Sequence, residues 1–417
     1  MKQLIHLRPD LSPARFFAST RPPNCRSNTA RGQRKERHLM KAKILRNIFL
    51  SGGVLFTLAR LLAAAMSSIL LLGILAPGVS GGTSDGVLNF NVTTFDVPDA
   101  ASTSAFDIND LGTVTGWYFG PNFEGIHGFV RTRGGAITTF DVPGSLVTSP
   151  NKINREGTIT GDYIDLNGFI PVEHGFLRDP SGNFTTFDGA AFTTGTSSDG
   201  INQSGAVVGS WEDPAIHKTY GFVRQPSGRI TSFDLNFGQR PRTGTEPLSI
   251  SLTGDITGDW NAEDGVIHGF VRTRGGAITS FDAPGATSTS GKSINQFGSV
   301  AGEYVDQNSV IHGFVRNSDG MIITLDVPGA GTGISQGTVA VGINRSGAVT
   351  GFYVDPGYVY HGFVRASDGS FTMLDAPGAG TEPFQGTRSF SINDFGMVTG
   401  TFIDASGLEH GLVAFAF

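Results

Sequence analysis

Cysteine is almost missing from this sequence: its 417 residues contain one, Cys25. Disulfide scaffolds and cysteine-based metal sites are therefore excluded from everything downstream of that residue. Charge is scarce as well, at 16% of residues. The catalytic and cofactor fingerprints are missing too. There is no Gly-x-Ser-x-Gly elbow, phosphate loop, dinucleotide fingerprint or His-Glu-x-x-His. No Asp-x-Asp-x-Asp-Gly loop offers strong calcium binding. The sequence thus implies no cofactor, no metal and no catalytic residue.

The charge that is present is unevenly spread. The net −6 conceals 13 Lys/Arg against only Asp10 and Glu36 in residues 1–80. Residues 81–417 carry 34 acidic and 17 basic side chains. An acidic body excludes nucleic acid and anionic membrane surfaces as partners, because both need a basic patch. Its plain meaning is solubility.

The leader has three parts. Residues 1–39, rich in Arg, Pro and Ser without periodicity, read as a disordered basic segment. Met40 directly precedes Lys41-Ala42-Lys43-Ile44-Leu45-Arg46, which makes it an alternative start that leaves residues 1–39 untranslated. An apolar, helical stretch follows and ends in Pro77-Gly78-Val79-Ser80-Gly81. Residues 40–80 therefore read as a signal peptide with cleavage near Ser80, and the protein as secreted, periplasmic or at the cell surface. From Leu61 to Ala76 there are 16 uncharged residues, short of the roughly 20 a spanning helix needs. An uncleaved membrane anchor is the alternative, and the only membrane contact expected.

What the sequence has in abundance is glycine, at 59, and phenylalanine, at 32. Three motifs recur in fixed order from about residue 90 onward. Ile-Asn-x-x-Gly begins at Ile108, Ile153, Ile201, Ile250, Ile294, Ile343 and Ile392, with Ser251 replacing Asn in the fourth copy. His-Gly-Phe-Val-Arg begins at His127, His174, Tyr220, His268, His312, His361 and His410. Phe/Leu-Asp stands at Phe95, Phe140, Phe187, Phe233, Phe281, Leu325 and Leu374. The period is about 47 residues, in the range of solenoids and propellers.

Each repeat reads as four strands. After Ile-Asn, a Val/Ile, a Gly and an aromatic alternate, as in Val349-Gly351-Tyr353, which marks a strand with one packed face. Its Gly predicts close approach by another element, taken to be the neighbouring repeat. His-Gly-Phe-Val-Arg gives a third strand and Ile/Phe-Thr-x-Phe-Asp a fourth, joined by turns such as Ser318-Asp319-Gly320. The body opens with a lone fourth strand, Val92 to Val97, and closes with strands one to three. The fold expected is all-β: over residues 90–417, a seven-bladed β-propeller of four-stranded antiparallel blades, with the first strand completing the last blade. A closed ring of this kind predicts a monomer.

The repeat resembles the HAF family of probable extracellular repeats, named for a His-Ala-Phe core; here the core is His-Gly-Phe, as at His127-Gly128-Phe129 and His312-Gly313-Phe314. Arg, as in Arg272 and Arg365, stands where that family usually has Trp. The resemblance covers about residues 90–417. It implies an extracellular location and a repeat fold, and supplies no activity.

The histidines do not form a metal centre. With strands about 4.8 Å apart, equivalent positions on neighbouring blades lie on the order of 15 Å apart, and zinc needs ligands at about 2 Å. They are expected to make a repeated structural hydrogen bond. The aspartates of Phe/Leu-Asp are expected to bond the loop that follows, and the arginines ending the third strand to be exposed or paired with those acids. Function is expected on the face that carries the two-to-three loops and the blade connections, taken as Ile164–Glu173, Glu212–Thr219 and Asn236–Leu248, because variable loops on a rigid scaffold are where binding is built. The candidate binding residues are Asp165, Asp213, Asp306, Asp355 and Asp404, each two residues after the strand-two aromatic, and Tyr220, which breaks the histidine pattern. The reading is a binding scaffold for a protein or glycan. The alternative is a propeller hydrolase or lyase at the channel mouth, which requires an asymmetric cluster of carboxylates or histidines that the sequence does not display.

Overall fold

The computed structural model describes residues 90–416, apart from 168–169, 192 and 236–242. The readings of the leader lie outside these residues.

The described chain is all-β, with 28 strands and a single 3-10 turn, Pro121–Phe123. β1 (Phe90–Phe95) stands alone at the start. The first complete meander is β2 (Ser102–Ile108), β3 (Val114–Phe119), β4 (Ile126–Arg131) and β5 (Ile137–Phe140). The second is β6 (Val147–Ile153), β7 (Ile159–Asn167), β8 (Ile170–Arg178) and β9 (Phe184–Phe187). The third is β10 (Thr196–Ile201), β11 (Val207–Asp213), β12 (Lys218–Arg224) and β13 (Ile230–Phe233). The fourth is β14 (Gly244–Ile250), β15 (Ile256–Asn261), β16 (Ile267–Arg272) and β17 (Ile278–Phe281). The fifth is β18 (Ser288–Ile294), β19 (Val300–Val305), β20 (Ile311–Arg316) and β21 (Ile322–Leu325). The sixth is β22 (Gly337–Ile343), β23 (Val349–Val354), β24 (Tyr360–Arg365) and β25 (Phe371–Leu374). β26 (Gly386–Ile392), β27 (Met397–Ile403) and β28 (Glu409–Ala416) follow, and β1 pairs antiparallel with β28, from Phe90 opposite Ala416 to Phe95 opposite Gly411.

Each first strand lies beside the first strand of the next meander, and β26 lies beside β2. The first strands are therefore the inner ones. A chain of asparagines ties them together at the end of the strand. Asn109 accepts from the N–H groups of Leu111 and Thr113 through Oδ1, closing its own turn, and donates Nδ2 to the carbonyl of Asn154 at 3.0 Å. Asn154 donates likewise to Asn202, and Asn202 to Ser251. Asn295 donates to Asn344, Asn344 to Asn393, and Asn393 back to Asn109 at 2.9 Å. The circuit returns to its start with one missing link, at Ser251. The Ser251 hydroxyl accepts from the Asp255 N–H, and so keeps the turn without the bridge.

The core lies between meanders. The Phe of His-Gly-Phe is fully buried at Phe129, Phe176, Phe222, Phe270, Phe314 and Phe363. Burial of such a ring contributes about 1.5–3 kcal/mol. Each of the first five meets, edge to face or nearly so, the fourth-strand side chain of the preceding meander, as Phe95 meets Phe129 at 5.9 Å and Phe281 meets Phe314 at 5.9 Å. The arginine that ends the third strand lies over the same ring. Arg131 sits 4.7 Å from the centre of Phe95, and Arg316 5.0 Å from that of Phe281. These arginines, expected to be exposed or paired with acids, are instead buried or half-buried against a ring. Leu325 offers no ring to the sixth meander, and Arg365 turns to Phe371 instead.

The second-strand glycine also departs from expectation. A Cβ on Gly116 would stand 2.0 Å from the carbonyl oxygen of Ser104, and one on Gly351 2.0 Å from that of Val339. The close neighbour is the same meander's first strand, not the adjacent one. That first strand carries a β-bulge, with register shifts at Ala105/Asp107 in β2 and at Ala340/Gly342 in β22. The bulge pushes its backbone against the second strand, and only glycine leaves room.

A threonine missed at the level of sequence motifs completes the connection between meanders. Thr103, Thr148, Thr196, Thr245, Thr289, Thr338 and Thr387 are all buried. Each accepts, through Oγ1, from the N–H just beyond the preceding fourth strand's Asp, as Thr338 does from Val327 at 2.9 Å.

The missing asparagine link predicts that Ser251→Asn stabilises the fold by about 0.5–1.5 kcal/mol, the net worth of one hydrogen bond. Asn344→Ala is expected to destabilise it by about 1–3 kcal/mol, because the buried Asn393 carbonyl, the Ala348 N–H and the Ser346 hydroxyl lose their partner. Urea unfolding midpoints of the two variants test both directions.

Candidate functional site

The fourth-strand aspartate ends beside the histidine that begins the third strand. His127 Nδ1 lies 2.9 Å from Asp141, and His174 Nδ1 2.6 Å from Asp188. The same pair forms between His268 and Asp282, His312 and Asp326, His361 and Asp375, and His410 and Asp96. The aspartate thus bonds the histidine, not the loop that follows it. The ring stacks on the second-strand aromatic, as His312 does on Tyr304 at 4.8 Å and His410 on Phe402 at 4.8 Å.

Four of the sequence-predicted aspartates complete these clamps. Nε2 of His174 lies 3.3 Å from Asp165, and Nε2 of His410 3.4 Å from Asp404. Asp306 and Asp355 stand 3.7 Å from Nε2 of His312 and His361. Asp306, Asp355 and Asp404 also accept N–H bonds from their own turns, and Asp213 accepts from Ala215. These are Asx turns. Burial opposes the charge on Asp404, but the Ser406 hydroxyl, the Leu408 N–H and His410 hold its pKa down, at about 2.

Tyr220 occupies the histidine's place and stacks on Trp211 at 4.8 Å. The missing cation is supplied two residues earlier. Lys218, fully buried, reaches Asp234 at 2.5 Å and lies 5.2 Å from the Tyr220 ring centre. Each predicted residue is therefore engaged within its own meander. Among the described residues, no three His, Asp, Glu or Cys side chains converge on a point that could hold one metal ion.

Two of the expected loops are shorter than read. Ile164–Glu173 is largely hairpin, since β7 runs to Asn167 and β8 starts at Ile170. In Glu212–Thr219, β11 reaches Asp213 and β12 begins at Lys218. In Asn236–Leu248, residues 236–242 lie outside the described residues and β14 begins at Gly244.

The concave site lies elsewhere, among the inner strands. A cavity of about 330 Å³ is lined by side chains from five consecutive meanders. This size is within the usual range of small-ligand sites. Its lining includes Val147, at the start of β6, and Glu173, just before His174. It therefore lies toward the ends of the strands that carry the two-to-three and four-to-one connections. The bulge residues make the floor: Phe106, Asn151, Asp199, Leu248 and Lys292. A bulge leaves one residue out of the ladder, and here that residue is aimed at the cavity.

The lining is strongly one-sided. Among the described residues, Asp162, Glu173, Asp199, Glu246 and Asp259 bring five carboxylates to the lining and Lys292 one ammonium. Lys292 pairs with Glu303 at 3.1 Å. Burial opposes its charge, but Glu303 and Asp259 more than offset this and raise its pKa. Asp162 accepts from the Ser198 N–H at 2.5 Å and from Asn151 Nδ2 at 2.8 Å. Its pKa is nevertheless pushed well up, first by burial and then by the charges of Glu173 and Asp199. Phe106 and Trp117, from the first meander, line the same cavity, with their rings 5.7 Å apart. Phe106 stacks in turn on Phe390 at 5.5 Å, and Trp117 meets Phe119 at 5.3 Å. Five acids thus converge from meanders that the repeat motifs make look alike. The only sequence sign was negative: these are the positions at which the repeat fails to repeat.

No family model matches the chain, and no curated protein does. Among solved structures it is similar to the acylaminoacyl peptidase of Pyrococcus horikoshii, with a TM-score of 0.51 and 10% identity over 76% of this chain and 51% of that one. It is also similar to a prolyl endopeptidase, with a TM-score of 0.48 and 12% identity over 80% of this chain and 48% of that one. The chain spans about half the length of the acylaminoacyl peptidase. The first likeness shows the fold, a β-propeller. No helix among the described residues is long and apolar enough to cross a membrane.

The clamps give a pH dependence. Hydrogen bonds to Asp141 and Asp188 raise the pKa of His127 and His174. Burial works against His361, but Asp375 and Asp355 outweigh it and the pKa rises. A pKa higher in the folded than in the unfolded chain favours folding when the histidine is protonated. That stabilisation is complete below the unfolded value, about 6.5, and is lost as pH rises through the folded values. Thermal melting is expected to fall in midpoint from about pH 6 to about pH 9. The triple variant His127→Gln, His174→Gln, His361→Gln is expected to melt lower at acidic pH and to show a flatter profile.

Proposed function

We propose that the chain is an exported seven-bladed β-propeller that acts as a monomeric binding module. Its ligand, carried by a protein or a glycan, sits in the inner cavity on the face of the two-to-three and four-to-one connections. One observation carries this reading: the places where seven-fold repetition stops converge on that cavity. The asparagines, threonines, histidine clamps and buried phenylalanines recur because the fold needs them. The bulge position changes from Phe106 to Asn151, Asp199, Leu248 and Lys292, and these side chains share one concave surface. Selection for folding alone has no reason to gather such differences at one point.

The seven meanders and the asparagine circuit that returns to Asn109 support seven blades. The signal-like segment before residue 81 supports export, as does the HAF-type resemblance. The exchange of Ala for Gly in the core is a packing exchange. A Cβ on Gly128 would stand 2.5 Å from the Phe140 ring, and one on Gly269 2.5 Å from Phe281.

A second reading, a hydrolase or lyase at the same mouth, is favoured by Asp162, whose raised pKa beside Glu173 and Asp199 suits an acid–base pair. Binding is the better supported, since both oxygens of Asp162 already accept hydrogen bonds from Ser198 and Asn151.

Arrays of glycans and peptides, probed with the exported chain, test the binding reading. Retention on at least one array class is expected, with Trp117→Ala weakening it tenfold or more and Asp319→Asn, in an exposed turn at the far end of the strands, leaving it unchanged. Binding that survives Trp117→Ala would move the contact away from the cavity. Release of cleaved product from a retained ligand would favour the enzyme.

A further inference from the structure

We propose that the face formed by the one-to-two and three-to-four turns rests on a membrane surface rich in anionic lipid. Exposed Leu and Phe side chains seat among the headgroups, and the arginines around them meet the phosphates. This face lies at the opposite ends of the strands from the cavity, and its role stands apart from the binding reading above.

The fold sorts charge by end. Eleven of the body's 17 basic side chains, all arginine, gather at this face, with seven of its 34 acids. Six of the eleven end the third strands, from Arg131 to Arg365. The other five, Arg133, Arg155, Arg229, Arg274 and Arg345, stand exposed in the turns. Among the described residues none of the eleven forms an ion pair. Burial lowers the pKa of Arg131, Arg224 and Arg272 with no acid to offset it. The acidic total of the body rules out an anionic surface only for charge that is spread evenly. Cations gathered at one end orient the chain over a negative surface.

The tips of the same turns are apolar where the fold has no use for it. Leu111, Phe297 and Phe395 hold one position of the one-to-two turn and are 57%, 60% and 75% exposed. Leu252, one position earlier in its own turn, is 53% exposed. The turn uses only the N–H at that position, bonded to Oδ1 of the asparagine two residues before, and Ser204 makes the same bond. Leu111 and Phe395 belong to neighbouring turns, since the Asp394 N–H donates to Asp110. Interfacial binding sums apolar burial and attraction to anionic lipid, and this face offers both side by side. A nucleic acid would use the arginines and leave Leu111 and Phe395 in water.

The chain also enters the body from this side. Phe90 lies opposite Ala416, which puts the start of β1 beside the end of β28, on the turn face. The apolar run Leu61–Ala76 precedes it by the 13 residues Pro77 to Asn89, which span at most about 45 Å. A run held in a bilayer therefore keeps the turn face, not the cavity, toward the lipid.

Cosedimentation of the full chain with mixed phosphatidylcholine–phosphatidylglycerol vesicles at physiological salt tests this. Arg133→Gln, Arg155→Gln and Arg345→Gln together are expected to weaken binding about tenfold or more. So, separately, are Leu111→Ser and Phe395→Ser together, by about the same factor. The backbone N–H bonds of Arg155 and Arg345 to the next turn survive these exchanges. Ile170→Ser with Ile334→Ser, a comparably exposed apolar pair at the cavity end, is expected to bind as the parent does. Fluorescence reads the depth: Phe395→Trp is expected to be quenched by lipids brominated on the acyl chain, and Ile170→Trp to be unaffected. Equal binding by the parent and both turn variants overturns the inference, because the basic leader would then be the attractant. Equal weakening by the Ile170 and Ile334 pair overturns it, as does quenching of Ile170→Trp alone. An assembly that the turn variants break into monomers without vesicles overturns it too, since the face then joins copies of the chain. Each of these failures leaves the effect of Trp117→Ala on array binding unchanged, so the two readings fail separately.

Discussion

Each four-stranded meander completes the burial of its phenylalanine against the meander beside it, and this dependence organises the rest of the molecule. Phe129 is sealed by Phe95, Phe176 by Phe140 and Phe314 by Phe281. A row of such units has an uncovered apolar end unless the row returns on itself. Pairing of β1 with β28 brings Phe95 and Val97 from the start of the body into one cluster with Val413 and Met397 from its end. Closure by a strand from the other end of the chain removes both exposed edges. The asparagine circuit and the buried threonines are directional additions to that closure, since a hydrogen bond sets register where apolar burial does not.

Much of this was legible before any coordinates. The alternation of Val, Gly and aromatic residues fixed the second strand, and the complementary ends of the repeat anticipated the β1–β28 pair. The histidine bond was expected and its partner was not. Asp141 looked like a loop cap, because a sequence places it next to the loop and gives no sign that the fourth strand ends beside His127 in the third. Gly351 was assigned to contact with a neighbouring meander for a similar reason. Its close neighbour is the Val339 carbonyl, brought near by a bulge that leaves no signature in residue type.

The site was harder to read than the fold, and the reason is physical. Repetition identifies what every unit must do, so it highlights residues such as Asp306 and Asp355 that serve the clamps. A site in a ring of equivalent units must instead use what the units do not share. Phe106, Asp199 and Lys292 occupy equivalent bulge positions and have nothing in common chemically. None of the three recurring motifs includes them. Only the inward projection of the bulge turns that variation into one lined surface.

Broken symmetry is not by itself a sign of function, and the third meander supplies the contrast. Tyr220 replaces a histidine and so looked like the most distinctive residue of the body. Its ring keeps the stacking on Trp211, and Lys218 brings back the positive charge for Asp234. The exchange is compensated within the meander, with aromatic contact and ion pair both preserved. At the cavity, Asp162, Glu173 and Asp199 crowd like charges together and raise the cost of ionising Asp162. A fold free to lower that cost would place an amide at one of these positions, as it does at Asn151. Retention of the repulsion at a concave surface of inner-strand bulges is what supports the proposed ligand site, where the third meander shows a repaired irregularity.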